Sequence, residues 1–397
     1  MSFAICLAPA RTIEYAQGGG HFWVYLNWAL SLRANGCRVV WMEGVDQSET
    51  AKARRRRHGT DLYECVATLK KRLEPYGLAD AIALVPLNDE PLPRDLVEGC
   101  LDMEAAVETD LLLNLWHSLP RSVVRRFRRS AFVDTDPGLV QIWMSTGEIQ
   151  IAPHDIYFTV GETVGTPVAR FPDCGLEWHY TPPPVFLPEW PAASAESGAP
   201  YTTVAHWWGG TVRFAGEVLS NDKLVGFLDY VNLPSRTAVT LEQAISLGRF
   251  RDEWRARLEP LGWKLREAWD VTATPEQYRG YIQRSRGEFS VAKPTYVKLE
   301  TGWISDRTVC YLASGKPAIV QYTGPSRYLP RSEGLLRFQT MDEAVRALAR
   351  VESDYERQCR LARALAEEYF DGRRVAGRVL EVALGEPMSL RAKGVVA

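Results

Sequence analysis

No stretch of this sequence approaches the ~20 apolar residues that crossing a bilayer requires. The longest apolar runs, around Leu111–Leu113 and Ala318–Val320, are far shorter. Charge of one sign is also lacking: Lys plus Arg number 47 against 49 Asp plus Glu, a net charge of −2. That balance argues against a generic nucleic-acid or anionic-membrane binder, whose affinity rests on neutralising phosphates. The seven cysteines, at positions 6, 37, 65, 100, 174, 310 and 359, are odd in number and contain no CxxC pair. Neither a disulfide framework nor a zinc site is therefore expected. The start, Met1–Leu7, lacks the basic segment of a signal peptide, and a reduced, cytoplasmic protein is the expectation.

What is present is ordinary globular material. Hydrophobic residues make up 46% and charged residues 24%, which excludes disordered, collagenous and coiled-coil classes. A length of 397 residues predicts two domains. The 13 tryptophans suit packing more than sugar stacking.

The opening reads as strand, loop, helix, strand: Phe3–Ala8, a loop ending in Gly18-Gly19-Gly20, a helix over His21–Ala34, a stop at Asn35-Gly36, and a strand over Cys37–Met42. This is the βαβ unit of a doubly wound sheet. Strands are predicted at Ala81–Val85, Asp110–Leu115, Ala131–Val133 and Asp155–Val160, with a basic helix over Ser122–Arg129. From Phe171 to Pro200 seven prolines exclude a helix or a central strand. A second alternating half starts at Tyr201–Ala205 and includes a strand at Glu288–Ala292, a helix over Ser305–Ala313, a strand at Pro317–Gln321 and a helical stretch from Met341 to Leu384. The expected fold class is α/β, with two doubly wound, Rossmann-like domains facing across a cleft. The expected division is 1–180 for the N-terminal domain, 181–200 for a proline-rich linker, 201–370 for the C-terminal domain, and 371–397 for a last helix and tail. Ligands of open sheets bind at the carboxyl ends of the strands.

Four constellations carry candidate chemistry. The Gly18-Gly19-Gly20 loop lets a ligand approach a helix N-terminus, or is simply a tight turn; His21 after it is a general base or a packing residue. Ser305 and Asp306 suit a helix cap and first turn, whereas Arg307, with Arg286, Lys293 and Lys298 before it, forms the cationic cluster a diphosphate needs. His117 ends a buried strand and therefore lies at a carboxyl edge, unless it is a core histidine. Asp134 and Asp136 follow another strand as a base or metal pair, with an Asp-Pro-Gly turn as the plain alternative, more so for Asp136. Two basic runs remain: Lys52 with Arg54–Arg57 in a loop, and Arg125, Arg126, Arg128 and Arg129 on a helix. They read as solvated faces that can still attract an anionic acceptor.

Taken together, these residues resemble a GT-B glycosyltransferase, most like the bacterial enzymes of families 4 and 1. The Gly18–Leu30 loop and helix with the Gly36–Val40 strand, the Asp110–His117 strand, and Glu288–Lys293 followed by Gly302–Val320 carry the resemblance along essentially the whole chain. It implies metal-independent transfer of a sugar from a nucleoside-diphosphate sugar, UDP-linked or otherwise, to a small-molecule or glycan acceptor in natural-product or glycan biosynthesis. The nucleotide-sugar is a co-substrate; no other cofactor, no nucleic acid and no membrane span is implied. The C-terminal domain would hold the donor and the N-terminal domain the acceptor, with the last helix crossing back. The resemblance places Gly18, Gly19 and Gly20 opposite the donor phosphates and His117 at the transferred sugar. Lys223, Arg286 and Lys293 become phosphate partners, beside Ser305, Asp306 and Arg307. The Glu-x7-Glu pair of retaining relatives is replaced by Gly302 and Cys310, with Asp306 one helical turn before Cys310. An inverting route would need a base, for which His21 and Asp134 are the candidates. A nucleotide-sugar epimerase and a catalytically silent binding protein are the alternatives on the same fold.

Overall fold

A computed structural model describes residues 3–15, 18–57, 60–88, 90–330 and 333–385. Strands β1 (Ala4–Ala8), β2 (Arg38–Val45), β3 (Ile82–Pro86), β4 (Leu111–Asn114), β5 (Ser130–Asp134), β6 (Ile156–Thr159) and β7 (Trp178–Tyr180) form one parallel sheet, in the order β3-β2-β1-β4-β5-β6-β7. Strands β8 (Tyr201–Ala205), β9 (Thr211–Phe214), β10 (Glu217–Ser220), β11 (Leu241–Ile245), β12 (Trp263–Glu267), β13 (Gly287–Ser290), β14 (Ala318–Gln321) and β15 (Leu335–Phe338) follow. Six of these make a second parallel sheet, β12-β11-β8-β13-β14-β15, while β9 and β10 pair as a separate hairpin. In both sheets the central strands are buried along their length, as both faces are covered by helices.

The helix Gly19–Ala34 joins the two halves. It is buried nearly all round, from Phe22 through Leu32, because it packs on the first sheet, on the last helix Gly372–Leu384, and on the second domain's helix Pro275–Arg284. That partner has a capping box: Thr274 Oγ1 accepts from the Gln277 amide (3.2 Å), and Gln277 Oε1 accepts from the Thr274 amide (3.1 Å). Gly19 is required where the two meet, since a Cβ there would stand 2.2 Å from the Thr274 carbonyl oxygen and 2.6 Å from that of Thr272. Gly19→Ala is expected to cost ~1–3 kcal/mol, as overpacking does, read as a lower urea midpoint. An unchanged midpoint would mean the seam yields freely.

Several expectations change. Lys52 and Arg54–Arg57 lie on a helix, Glu49–Arg57, rather than in a loop. Its start is capped locally, with the Ala51 amide donating to Ser48 Oγ (3.3 Å), and its Ala, Lys and Arg are strong helix formers. The basic helix expected over Ser122–Arg129 is a single turn, Arg121–Val124; Arg126 and Arg128 turn outward to Glu104 and Asp110. The helical stretch from Met341 is broken at Asp354 and Asp371, each of which caps the helix that follows it. The β9–β10 hairpin was not evident in the sequence. Its turn places Ala215 (φ 50°) and Gly216 (φ 80°) in the left-handed region, without the Asn-Gly signature. No helix among the described residues is long and apolar enough to cross a membrane.

Candidate active site

The carboxyl ends of the two sheets face each other across a cleft of about 670 Å3. Its first-domain wall includes Arg11, Tyr15, His21, Trp116, His117 and Asp136, and its second-domain wall includes His206, Lys223, Lys293, Tyr296, Ser305, Asp306 and Arg307. Strand ends explain this placement: Arg11 follows β1, Trp116 and His117 follow β4, Asp136 follows β5, and His206 follows β8.

The second-domain wall is built around a buried charge cluster. Arg307 donates from Nε to Glu288 Oε1 (2.8 Å), from Nη1 to the Val204 carbonyl (2.9 Å) and from Nη2 to Ser290 Oγ (2.8 Å). Glu288 is fully buried and its Oε2 has no hydrogen-bond partner among the described residues. Lys223 is also buried, donating from Nζ to the same Ser290 Oγ (3.1 Å). Burial, and then the Arg307 guanidinium, drive the Lys223 pKa well below that of a free lysine. Ser305 Oγ accepts from the Arg307 amide (3.2 Å) and caps the helix Asp306–Ala313. Burial raises the Asp306 pKa against the opposing pull of Arg307. Lys293 stands at the rim, 4.0 Å from Asp136 Oδ1. Three cations thus face the cleft with Glu288 and Asp306 as the nearest acids of that wall.

On the opposite wall, His21 Nε2 lies 2.8 Å from the Ala10 carbonyl. A carbonyl only accepts, so Nε2 carries the proton and Nδ1 is left as an acceptor. Burial lowers the pKa of His21, and also that of His117. Both are therefore neutral near pH 7.

Three groups of expected site residues do not reach the cleft. Gly18, Gly19 and Gly20 do not line it; the Gly19 contact described above and the Tyr278 ring, 2.7 Å from a Cβ at Gly20, show that these two serve domain packing, while Gly18 meets only Tyr15 and His21 of its own loop. Arg286 is held by Glu352 (3.0 and 2.9 Å) and lies over the Tyr355 ring. It precedes β13 and so sits at the amino edge of its sheet, away from ligands. Asp134 is fully buried and accepts from Gln141 Nε2 (2.8 Å), Thr159 Oγ1 (2.9 Å) and the Asp136 amide (2.9 Å). Burial pushes its pKa up to about 7; its position makes it an anchor for the turn that presents Asp136.

Conversely, Asp136 accepts from the Tyr296 hydroxyl (2.7 Å) across the cleft, and Tyr296 stacks on Trp303 with ring centroids 4.7 Å apart. Arg11, Trp116, His206 and Tyr296 were not singled out for the site, although the strand-end rule marks three of them; of the acidic pair, it is Asp136, the one read more as a turn residue, that lines the cleft. Gly302 has φ 69° and a Cβ there would lie 3.0 Å from Glu162 Cβ, while Cys310 is buried beneath the wall. Neither position presents a group to the cleft, and among the described residues Asp136 and Asp306 are the carboxylates lining it.

Two Rossmann-like domains joined over a shared cleft, with the last helix returned to the first domain, define the GT-B fold of glycosyltransferases. Solved structures share it over nearly their whole length. An alpha-glucosyltransferase in complex with UDP and a 13-mer DNA containing an A:G mismatch is 10% identical with a TM-score of 0.59, covering 96% of this chain and 99% of its own. HepE from Anabaena, in complex with UDP and glucose, is 10% identical with a TM-score of 0.54, covering 97% and 100%. A glycosyltransferase from Rickettsia africae is 10% identical with a TM-score of 0.53, covering 98% and 100%. No protein-family model and no curated protein matches the sequence.

Proposed function

We propose that this chain is a glycosyltransferase that moves a sugar from a nucleoside-diphosphate donor to an acceptor hydroxyl. The observation that carries the reading is the cationic wall of Lys223, Arg307 and Lys293 beside the capped start of helix Asp306–Ala313, facing two neutral histidines. Shared fold with an alpha-glucosyltransferase and with HepE, both solved with UDP, supports it. In the reaction the acceptor oxygen bonds to the sugar's anomeric carbon as the bond from that carbon to the diphosphate breaks. The electron pair leaves with the diphosphate, and the acceptor's proton passes to a base. Lys223, Lys293, Arg307 and the helix amides stabilise the charge that grows on the leaving group. His21 Nδ1, His117 and Asp136 are groups on the acceptor side able to take a proton.

A thermal-shift series with UDP, GDP, ADP, CDP and dTDP tests this. A nucleotide at about 100 times its Kd stabilises a folded protein by ~2.7 kcal/mol, a shift of several degrees for domains of this size. One diphosphate is expected to give that shift and its glucose conjugate to be consumed with release of the diphosphate. Silence with all five would sink the donor-site reading.

A further inference from the structure

The turn that carries Asp136 into the cleft is fixed from behind and from both flanks. Behind it lies Asp134, whose Oδ1 accepts from the Asp136 amide and whose Oδ2 accepts from Gln141 Nε2 and Thr159 Oγ1. The next partners along set the direction of these bonds. Gln141 Oε1 accepts from the Gly138 amide (2.6 Å), which leaves Nε2 for Asp134. Thr159 Oγ1 accepts from the Gly161 amide (3.2 Å), which leaves its own proton for Asp134. On one flank a Cβ at Gly161 would collide with the Pro137 ring. On the other, a Cβ at Gly138 (φ 84°) would stand 2.9 Å from Thr301 Cγ2 and 3.0 Å from Leu299 Cδ1, both of the second domain. Asp136-Pro137-Gly138 is therefore wedged between the two domains.

The carboxylate of Asp136 is held as well. Its Oδ1 accepts from the Tyr296 hydroxyl and faces Lys293 Nζ, while its Oδ2 has no hydrogen-bond partner among the described residues. The side chain, 43% exposed, lines the cleft. One oxygen is thus tied to the second domain and the other is open to a ligand. As scaffold alone, the group behind it is an expensive choice. Burial raises the Asp134 pKa against the three hydrogen bonds it accepts, and no ion pair reaches it among the described residues. Asparagine there would turn a donor toward at least one of the three donors, so the site demands the ionised acid. A buried charge that meets only the bonds of one turn serves to hold that turn in a single place.

We propose that Asp134, Gln141 and Thr159 are positioning residues, which hold the open oxygen of Asp136 at the acceptor hydroxyl that attacks the sugar. The inference rests on the reading of the cleft as a glycosyl-transfer site. It goes further in making Asp136, fixed from both domains, the group that orients the acceptor oxygen. The three residues act on the rate through Asp136 and leave the donor wall of Lys223 and Arg307 unchanged.

The test is diphosphate release from the glucose conjugate of whichever nucleotide binds, with water as the acceptor, alongside calorimetry of the nucleotide itself. Gln141→Ala and Thr159→Val are each expected to lower kcat ~10-fold or more, since misplacing a reacting group by about 1 Å costs ~100-fold. The donor KM and the Kd of the diphosphate should stay within about twofold of the parent's, as an effect confined to the transition state requires. Thr159→Ser keeps the hydroxyl and should restore the rate. In an Asp136→Asn background neither Gln141→Ala nor Thr159→Val should lower kcat further, because the residue they act through is already lost. A merely structural role predicts the reverse: Kd rising as kcat falls, and losses that add to that of Asp136→Asn. Either result overturns the proposal, as does an unchanged kcat in both variants. A parent chain that neither binds a nucleotide nor releases one from its conjugate removes the glycosyl-transfer reading, and this inference with it. A parent that turns over donor while the losses add removes only this one.

Discussion

Lys223→Met is expected to lower transfer by about 10²–10³-fold, the usual effect of removing one charge-stabilising group from a reacting centre, while raising the melting temperature. The two effects share one cause. In the unliganded protein the Lys223 ammonium is buried beside Arg307, and its pKa is depressed. A depressed lysine pKa means that the unfolded chain holds the proton more tightly than the folded one. Stability therefore rises with pH between the folded value and the ordinary value near 10.4. Methionine keeps the volume, removes the buried charge, and should flatten that rise. An incoming diphosphate reverses the situation by supplying the missing negative charge. Calorimetry of UDP binding in buffers of different ionisation enthalpy, at a pH between the folded value and the ordinary one, should then show proton uptake by the parent and none by Lys223→Met. A variant that loses both stability and UDP affinity would make Lys223 a structural residue instead.

Arg307→Met should be the more damaging change to the fold. Glu288 is fully buried and forms its ion pair with the Arg307 Nε. Stranding a buried carboxylate costs ~3–5 kcal/mol, and the Val204 carbonyl and Ser290 hydroxyl lose a donor as well. Replacing both partners, as Arg307→Met with Glu288→Met, should restore much of the lost stability, because no unpaired charge is left behind. Urea midpoints of the two single variants and the double variant measure the coupling. A single Arg307 variant as stable as the parent would mean that Glu288 takes up a proton at little cost. UDP binding should stay weak in the double variant, which separates the folding role from the ligand role.

The alternation of strands and helices was legible because parallel strands buried on both faces read as short apolar runs, such as Ala4–Ala8 and Leu111–Asn114. Lys293 and Arg307 were legible as cations near a helix start capped by Ser305 and Asp306, Lys223 came with the family resemblance, and the fold brings all five to one wall. What escaped the sequence was direction. Asp134 and Asp136 follow the same strand, but the hydrogen bonds from Gln141 and Thr159 turn the first inward and leave the second at the cleft. Arg286 belongs to the amino edge of β13, so its charge is spent on Glu352. Gly19 and Gly20 answer to Thr272, Thr274 and Tyr278, residues some 250 positions away along the chain, and no local pattern reports such a contact.

The helix Gly372–Leu384 ties back to the first domain. Val185 pairs with Asp371 where the chain crosses between the sheets. Gly372 presses on Ser31, and Asn35 Nδ2 donates to the Arg373 carbonyl (2.9 Å). Val375, Val379 and Leu380 share a core with Trp28 and Leu32. The first sheet therefore lacks part of its cover until residues 372–384 have left the ribosome. During synthesis the second sheet has all its strands while the first still waits for residues 372–384. A truncation after Phe370 should injure the half of the molecule made first.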